Sequence, residues 1–140
     1  MNSAQWWLTW WLRLSAGVLL LALVAVVLPQ SWMAQTNDWL GFSPLPDTPL
    51  VGYLTRSLSG AYALLGVLTL ALASDVRRYA PLIACFGWGY LVFGVILLVI
   101  DFAVGMPLAW ALIEGPVVIG SGTVQLWLLA RLGRDESSVR

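Results

Sequence analysis

Apolar residues in this chain gather in four long runs separated by short polar or proline-rich breaks. The first spans about 12–29, contains the unbroken stretch Val18-Leu19-Leu20-Leu21-Ala22-Leu23-Val24-Ala25-Val26-Val27-Leu28, and ends at Pro29. The others span about 51–73, 82–104 and 108–132. Each approaches or exceeds the ~20 residues a helix needs to cross ~30 Å of hydrocarbon. Only helices and closed barrels can span a bilayer, and the runs lack the alternation of barrel strands. The pattern therefore predicts an all-α fold, a single transmembrane four-helix bundle over residues 1–140 with an outer loop at 30–50.

The first run is expected to persist as a helix rather than be cleaved as a signal peptide. Its lead-in carries Trp6, Trp7, Trp10 and Trp11 and one cation, Arg13, and Trp32-Met33-Ala34 is a poor cleavage site. Arginine placement then orients the chain. Arg13, Arg77, Arg78, Arg131, Arg134 and Arg140 fall on one side of the four spans, while the opposite side carries Asp38 and Asp47 and no cation. The positive-inside rule makes the arginine side cytoplasmic, with both termini inside. This is the layout of a multi-pass protein of the inner, plasma membrane.

Tryptophans mark the same frame. Residues 6, 7, 10 and 11 form one aromatic face at the inner headgroup level, Trp127 joins them there, and Trp32, Trp39 and Trp110 mark the outer interface. The outer loop contains Ser43-Pro44-Leu45-Pro46-Asp47-Thr48-Pro49, whose prolines preclude a regular helix across that run. Asp38 and Asp47 read as solvated or turn-capping residues. The inner loop, 74–81, is short enough to make the second and third helices antiparallel neighbours, and the tail from Arg134 is polar and expected to fray.

Composition narrows the chemistry. Of 140 residues 60% are hydrophobic and 10% are charged, against about 25% charged in a soluble domain. A net charge of zero with no basic block argues against nucleic acid. With no histidine and no lysine, His-based triads, His-ligated metal or haem, Schiff-base lysines and the phosphate-binding lysine loop are excluded. One cysteine, Cys85, makes neither an internal disulfide nor a metal site and is expected to be a small buried hydrophobe. No catalytic set, metal site or cofactor is assigned.

Away from their cytoplasmic ends, three ionisable residues interrupt the apolar runs: Arg56, Asp101 and Glu114. At 1.5 Å per residue they lie roughly 27, 28 and 26 Å from the cytoplasmic ends of their helices, near the outer edge of the hydrocarbon. A charge at such depth is costly and usually faces a protein interior or a wet cavity. Each also heads a stripe of small or hydrogen-bonding residues: Leu97, Gly94, Tyr90 and Gly87 behind Asp101; Val118, Ser121 and Gln125 beyond Glu114; Ser59, Gly60 and Ala63 beyond Arg56, with Ser57 and Tyr62 beside them. Such stripes mark helix contacts in membranes. Gly115-Pro116 is expected to kink the last helix. The candidate ligand-binding residues are Arg56, Asp101, Glu114, Tyr62 and Tyr90. Convergence of one guanidinium on two carboxylates would leave surplus negative charge, suited to a proton relay, a cation site or a polar lipid head. The same residues would equally make a structural tie, or snorkel to phosphates and water.

At Tyr53-Leu54-Thr55-Arg56-Ser57-Leu58-Ser59-Gly60-Ala61-Tyr62-Ala63-Leu64-Leu65-Gly66, and at Ile100-Asp101-Phe102-Ala103-Val104-Gly105-Met106-Pro107 through Glu114-Gly115-Pro116, the chain resembles small bacterial four-helix membrane proteins of DoxX-like layout. The resemblance covers helix count and loop order over most of the chain and implies a compact four-helix bundle. Some DoxX-like proteins have redox or terminal-oxidase accessory roles, and this chain has no ligand residues for such a cofactor. A more distant similarity is to emopamil-binding and sigma-two-receptor bundles, whose acidic residues line a pocket for lipophilic amines or sterols. Asp101 and Glu114 are the matching residue type, while the histidines of sterol isomerases are absent.

Three functions follow as expectations. The first is a non-enzymatic accessory or structural subunit, partnered by membrane lipid and by another membrane protein or a second copy of itself. The second is a membrane binding protein for a lipophilic or cationic small molecule, or a proton-linked site, at the outer end of the bundle. The third is a lipid-directed enzyme, for which only Ser57, Ser59, Tyr62 and the carboxylates are available.

Overall fold

A computed structural model of the chain describes residues 3–42, 44, 46 and 48–137, with side chains through residue 134. Every regular element among them is helical: α1 Ser3–Leu20, α2 Ala22–Val27, α3 Gln30–Trp39, α4 Pro49–Leu72, α5 Ala80–Val104 and α6 Leu108–Ser137. Four spans are long and apolar enough to cross a membrane: Ser3–Val27, Pro49–Leu72, Ala80–Val104 and Leu108–Arg134. The expectations placed on Ser43, Leu45, Asp47 and residues 138–140 lie outside the described residues.

Local chemistry explains most of the boundaries. Pro29 holds Leu28 extended (φ −66°, ψ 137°), which ends α2. Gly41, with φ 76°, follows α3, and the N–H of Phe42 donates to the Asn37 carbonyl at 3.2 Å. Thr48 precedes α4 and accepts from the Val51 N–H at 3.4 Å, with Pro49 at the first helical position. Asp75 Oδ1 accepts from the Arg78 N–H at 3.1 Å in the turn before α5. Gly105, with φ 73°, caps α5, and the Asp101 carbonyl accepts from both the Gly105 and the Met106 N–H groups.

Two boundaries differ from the sequence reading. The first membrane-length span begins at Ser3 rather than near residue 12, so the tryptophan lead-in and Arg13 are part of the same helix. Arg13 does not stop it because arginine is a good helix former. The segment 30–50, read as a loop, contains the helix α3 over Gln30–Trp39. Its composition is too polar to register as an apolar run, although Pro29 before it and Gly41 after it are ordinary helix-end signals. α6 also continues through Pro116 as one helix.

The chain divides into two compact units, Met1–Leu12 with Leu72–Arg140, and Arg13–Ala71. In the first, Ala4, Leu8, Leu12, Leu72, Ala73, Val76, Ile83, Leu128 and Leu132 form the buried core, with Trp11, Tyr79 and Phe86 packed against it. α5 and α6 pack closely as an antiparallel hairpin around the three-residue turn Gly105–Pro107. Glycines let these backbones approach. A Cβ built on Gly94 would lie 2.9 Å from the Gly115 carbonyl oxygen and 2.6 Å from Ile119 Cγ1. One built on Gly122 would lie 2.6 Å from the Gly87 carbonyl oxygen. In a membrane, where apolar burial gives no drive between helices, such close backbone packing holds the pair together. Gln125, buried, adds a tie by donating Nε2–H to the Ile83 carbonyl at 2.7 Å.

In the second unit, Gly66 of α4 packs against Ala16, Leu19 and Leu20 of α1; a Cβ there would meet the Ala16 carbonyl oxygen at 3.1 Å. Ala16 and Ala63 are buried. In the first unit, Cys85, expected to be buried, is exposed. The buried face of α5 runs through Ile83, Gly87, Gly94 and Asp101, and Cys85 falls off that face.

Candidate functional site

Asp101, Glu114 and Tyr90 belong to the first unit, Arg56 and Tyr62 to the second. Gly87, Gly94 and Asp101 recur every seven residues, which places Asp101 on the α5 face that the glycine seam uses. It is 4% exposed, and its Oδ2 is buried with no hydrogen-bond partner among the described residues. A polar group buried without a partner is expensive, so the Oδ2 of Asp101 carries an uncompensated desolvation cost among the described residues. Glu114 is different. Its Oε2 accepts from the Trp110 indole N–H at 2.6 Å, one turn earlier on α6. This i, i+4 pairing was legible in the spacing, although Trp110 reads first as an interface marker. Tyr90 lies half-buried beside the seam, with Phe86 edge-on at 6.4 Å and its Cβ 3.0 Å from where a Cβ on Gly122 would sit.

Arg56 sits seven residues into α4, half-buried. Its Nη2 donates to the Leu28 carbonyl at 3.4 Å. Leu28 is the C-cap that follows α2, and its carbonyl is left without a helical donor because the chain turns extended before Pro29. One turn before Arg56, Gly52 is buried; a Cβ there would lie 3.1 Å from Arg56 Nη1 and 3.2 Å from Gln30 Oε1. The missing side chain thus leaves room for the guanidinium and the Gln30 amide.

Beside them is a cleft of about 270 Å³ between the first turns of α3 and of α4. From α3 it is lined by Gln30, Ser31, Met33 and Ala34, and from α4 by Val51, Gly52 and Thr55. Thr55 Oγ1 donates to the Val51 carbonyl at 2.8 Å, so its own lone pairs stay available. The cleft residues Gln30, Ser31, Gly52 and Thr55 escaped the sequence reading because α3 did. The usable signal was Gly52 four residues before an intramembrane arginine. Tyr62 lies further along α4, half-buried. Among the described residues no group of histidine, cysteine, aspartate and glutamate is arranged to hold a metal ion.

Four apolar membrane-length helices define the class: a multi-pass membrane protein. Comparison with protein-family models, with curated proteins and with solved structures finds no match.

Proposed function

We propose that this chain is a non-enzymatic accessory or structural subunit of a bacterial plasma-membrane assembly, with both termini cytoplasmic. The observation that carries this reading is where the intramembrane polar groups go. Gln125 ties α6 to α5, Glu114 is engaged by Trp110 of its own helix, and Thr69 bonds back to the Leu65 carbonyl at 2.8 Å. These groups secure helices rather than converge on a reaction centre. The DoxX-like layout agrees with such a role, and the one-sided arginines support the orientation.

The test is purification from native membranes in a mild detergent, with cross-linking before extraction. A stoichiometric partner or a defined oligomer is expected. A clean monomer that never cross-links would end the subunit reading. For orientation, a C-terminal fluorescent-protein fusion should glow and an alkaline phosphatase fusion at the same end should be inactive; the reverse pattern would invert the topology.

A second reading has its own support. The cleft combines three hydrogen-bonding side chains with apolar walls, and the Arg56 guanidinium lies next to its lining residue Gly52, the make-up of a small-ligand site. It favours a binding role at the outer end of the molecule.

A further inference from the structure

We infer that the cleft at Gln30, Ser31, Gly52 and Thr55 binds the phosphate of an anionic phospholipid headgroup from the outer leaflet, with Arg56 as its counter-ion. This rests on the binding reading of that cleft.

A guanidinium has five donors, and the contact from Arg56 to the Leu28 carbonyl is a single bond at the long limit of 3.4 Å. It is the one hydrogen bond of that side chain to the described residues. A cation in a membrane-length helix calls for a counter-anion or water, and no carboxylate lines the cleft among its described residues. Phosphate answers both needs, because its oxygens match the guanidinium fork in two parallel bonds.

The surroundings select the source. Arg56 lies roughly 10 Å along the helix from the start of α4, the depth at which headgroup and glycerol backbone meet the hydrocarbon. On α3, Trp32 and Trp39 are 64% and 83% exposed, the signature of a helix held at the headgroup level. Tyr53 and Leu54 are exposed on α4 next to the site, an apolar surface for acyl chains. Ser31 and Thr55 offer hydrogen bonds to a hydroxylated headgroup, whereas no carboxylate among the described lining residues would neutralise the ammonium of a zwitterionic one. An anionic, glycerol-type headgroup fits this lining best.

The experiment is native mass spectrometry of the full chain released from micelles doped with phosphatidylglycerol, phosphatidylethanolamine or glycerol phosphate. Wild type should retain one phosphatidylglycerol in preference to phosphatidylethanolamine. Arg56→Gln should lower that retention about tenfold, as loss of a charge-assisted bond does. Gly52→Leu, which crowds both the cleft and the Arg56 guanidinium beside it, should lower it similarly. Arg131→Gln, on α6 in the other unit, should leave it unchanged. Helical content by circular dichroism confirms that each variant is folded, and Gln30→Ala gives an independent arm. Retention that ignores Arg56, Gly52 and Gln30 substitutions overturns the lipid site. If glycerol phosphate alone is retained and displaces the lipid, the site serves a free phosphate and the lipid assignment falls. If these variants instead lose a co-purifying molecule that is not a phospholipid, the binding reading stands and the lipid proposal fails.

Discussion

Gly94→Ala tests the hairpin most directly. The new methyl would sit 2.6 Å from Ile119 Cγ1, 2.9 Å from the Gly115 carbonyl oxygen and 3.0 Å from the Ile119 nitrogen. Carbon atoms prefer about 3.5–4.0 Å, so α6 must retreat by roughly 1 Å. Two of the three obstructing atoms are backbone and cannot rotate away. Overpacking of this kind costs about 1–3 kcal/mol. The matched control is Gly89→Ala on the same helix, where a Cβ meets nothing within 4 Å. There the change should stabilise by up to ~1 kcal/mol, through helix propensity. The two alanine variants should therefore differ by about 2 kcal/mol or more, a shift of roughly thirtyfold in the unfolding equilibrium. The assay is reversible unfolding in mixed detergent and dodecyl sulfate micelles, followed by far-ultraviolet circular dichroism. Gly122→Ala, opposed by the Gly87 carbonyl oxygen, should resemble Gly94→Ala. Gly87→Ala should be milder, because it meets the rotatable Leu126 side chain. If Gly94→Ala falls within about 0.5 kcal/mol of Gly89→Ala, the usual range for substitutions at inconsequential surface sites, the close-packed seam is wrong.

Three further outcomes are expected in the same assay. Trp110→Phe removes the indole donor to Glu114 and should destabilise by about 1–3 kcal/mol, whereas Glu114→Gln, which keeps an acceptor, should lose less than half of that; equal losses would contradict the bond. Asp101→Leu removes a buried oxygen with no described partner and should be neutral or stabilising by about 1–3 kcal/mol; a large destabilisation would show that this carboxylate is held by a partner. Gly105→Ala places a Cβ in the left-handed region and should cost about 1–2 kcal/mol, with Gly105→Asn recovering part of it; an unchanged midpoint would remove the cap argument.

What the amino-acid sequence determined by itself is what a bilayer demands of any chain: the number of apolar spans and the place of the last three. Hydrocarbon offers the backbone no water, so long apolar runs must be helices wherever they pack. Proline and glycine at 29, 41, 49 and 105 likewise act through local backbone sterics and mark helix ends without knowledge of the fold. The stripe of Gly87, Gly94 and Asp101 was also legible, because helical periodicity is local. The tertiary structure decided which partner each face meets. Gly94 opposite Gly115 and Gln125 opposite Ile83 depend on the register of two helices, and register has no local signature. It likewise decided that Cys85 lies off the buried face, that Glu114 is spent on Trp110, and that Gly52 opens space beside Arg56 for a cleft against α3. Hydropathy measures transfer from water to lipid; contacts between particular side chains arise only when two elements lie against each other.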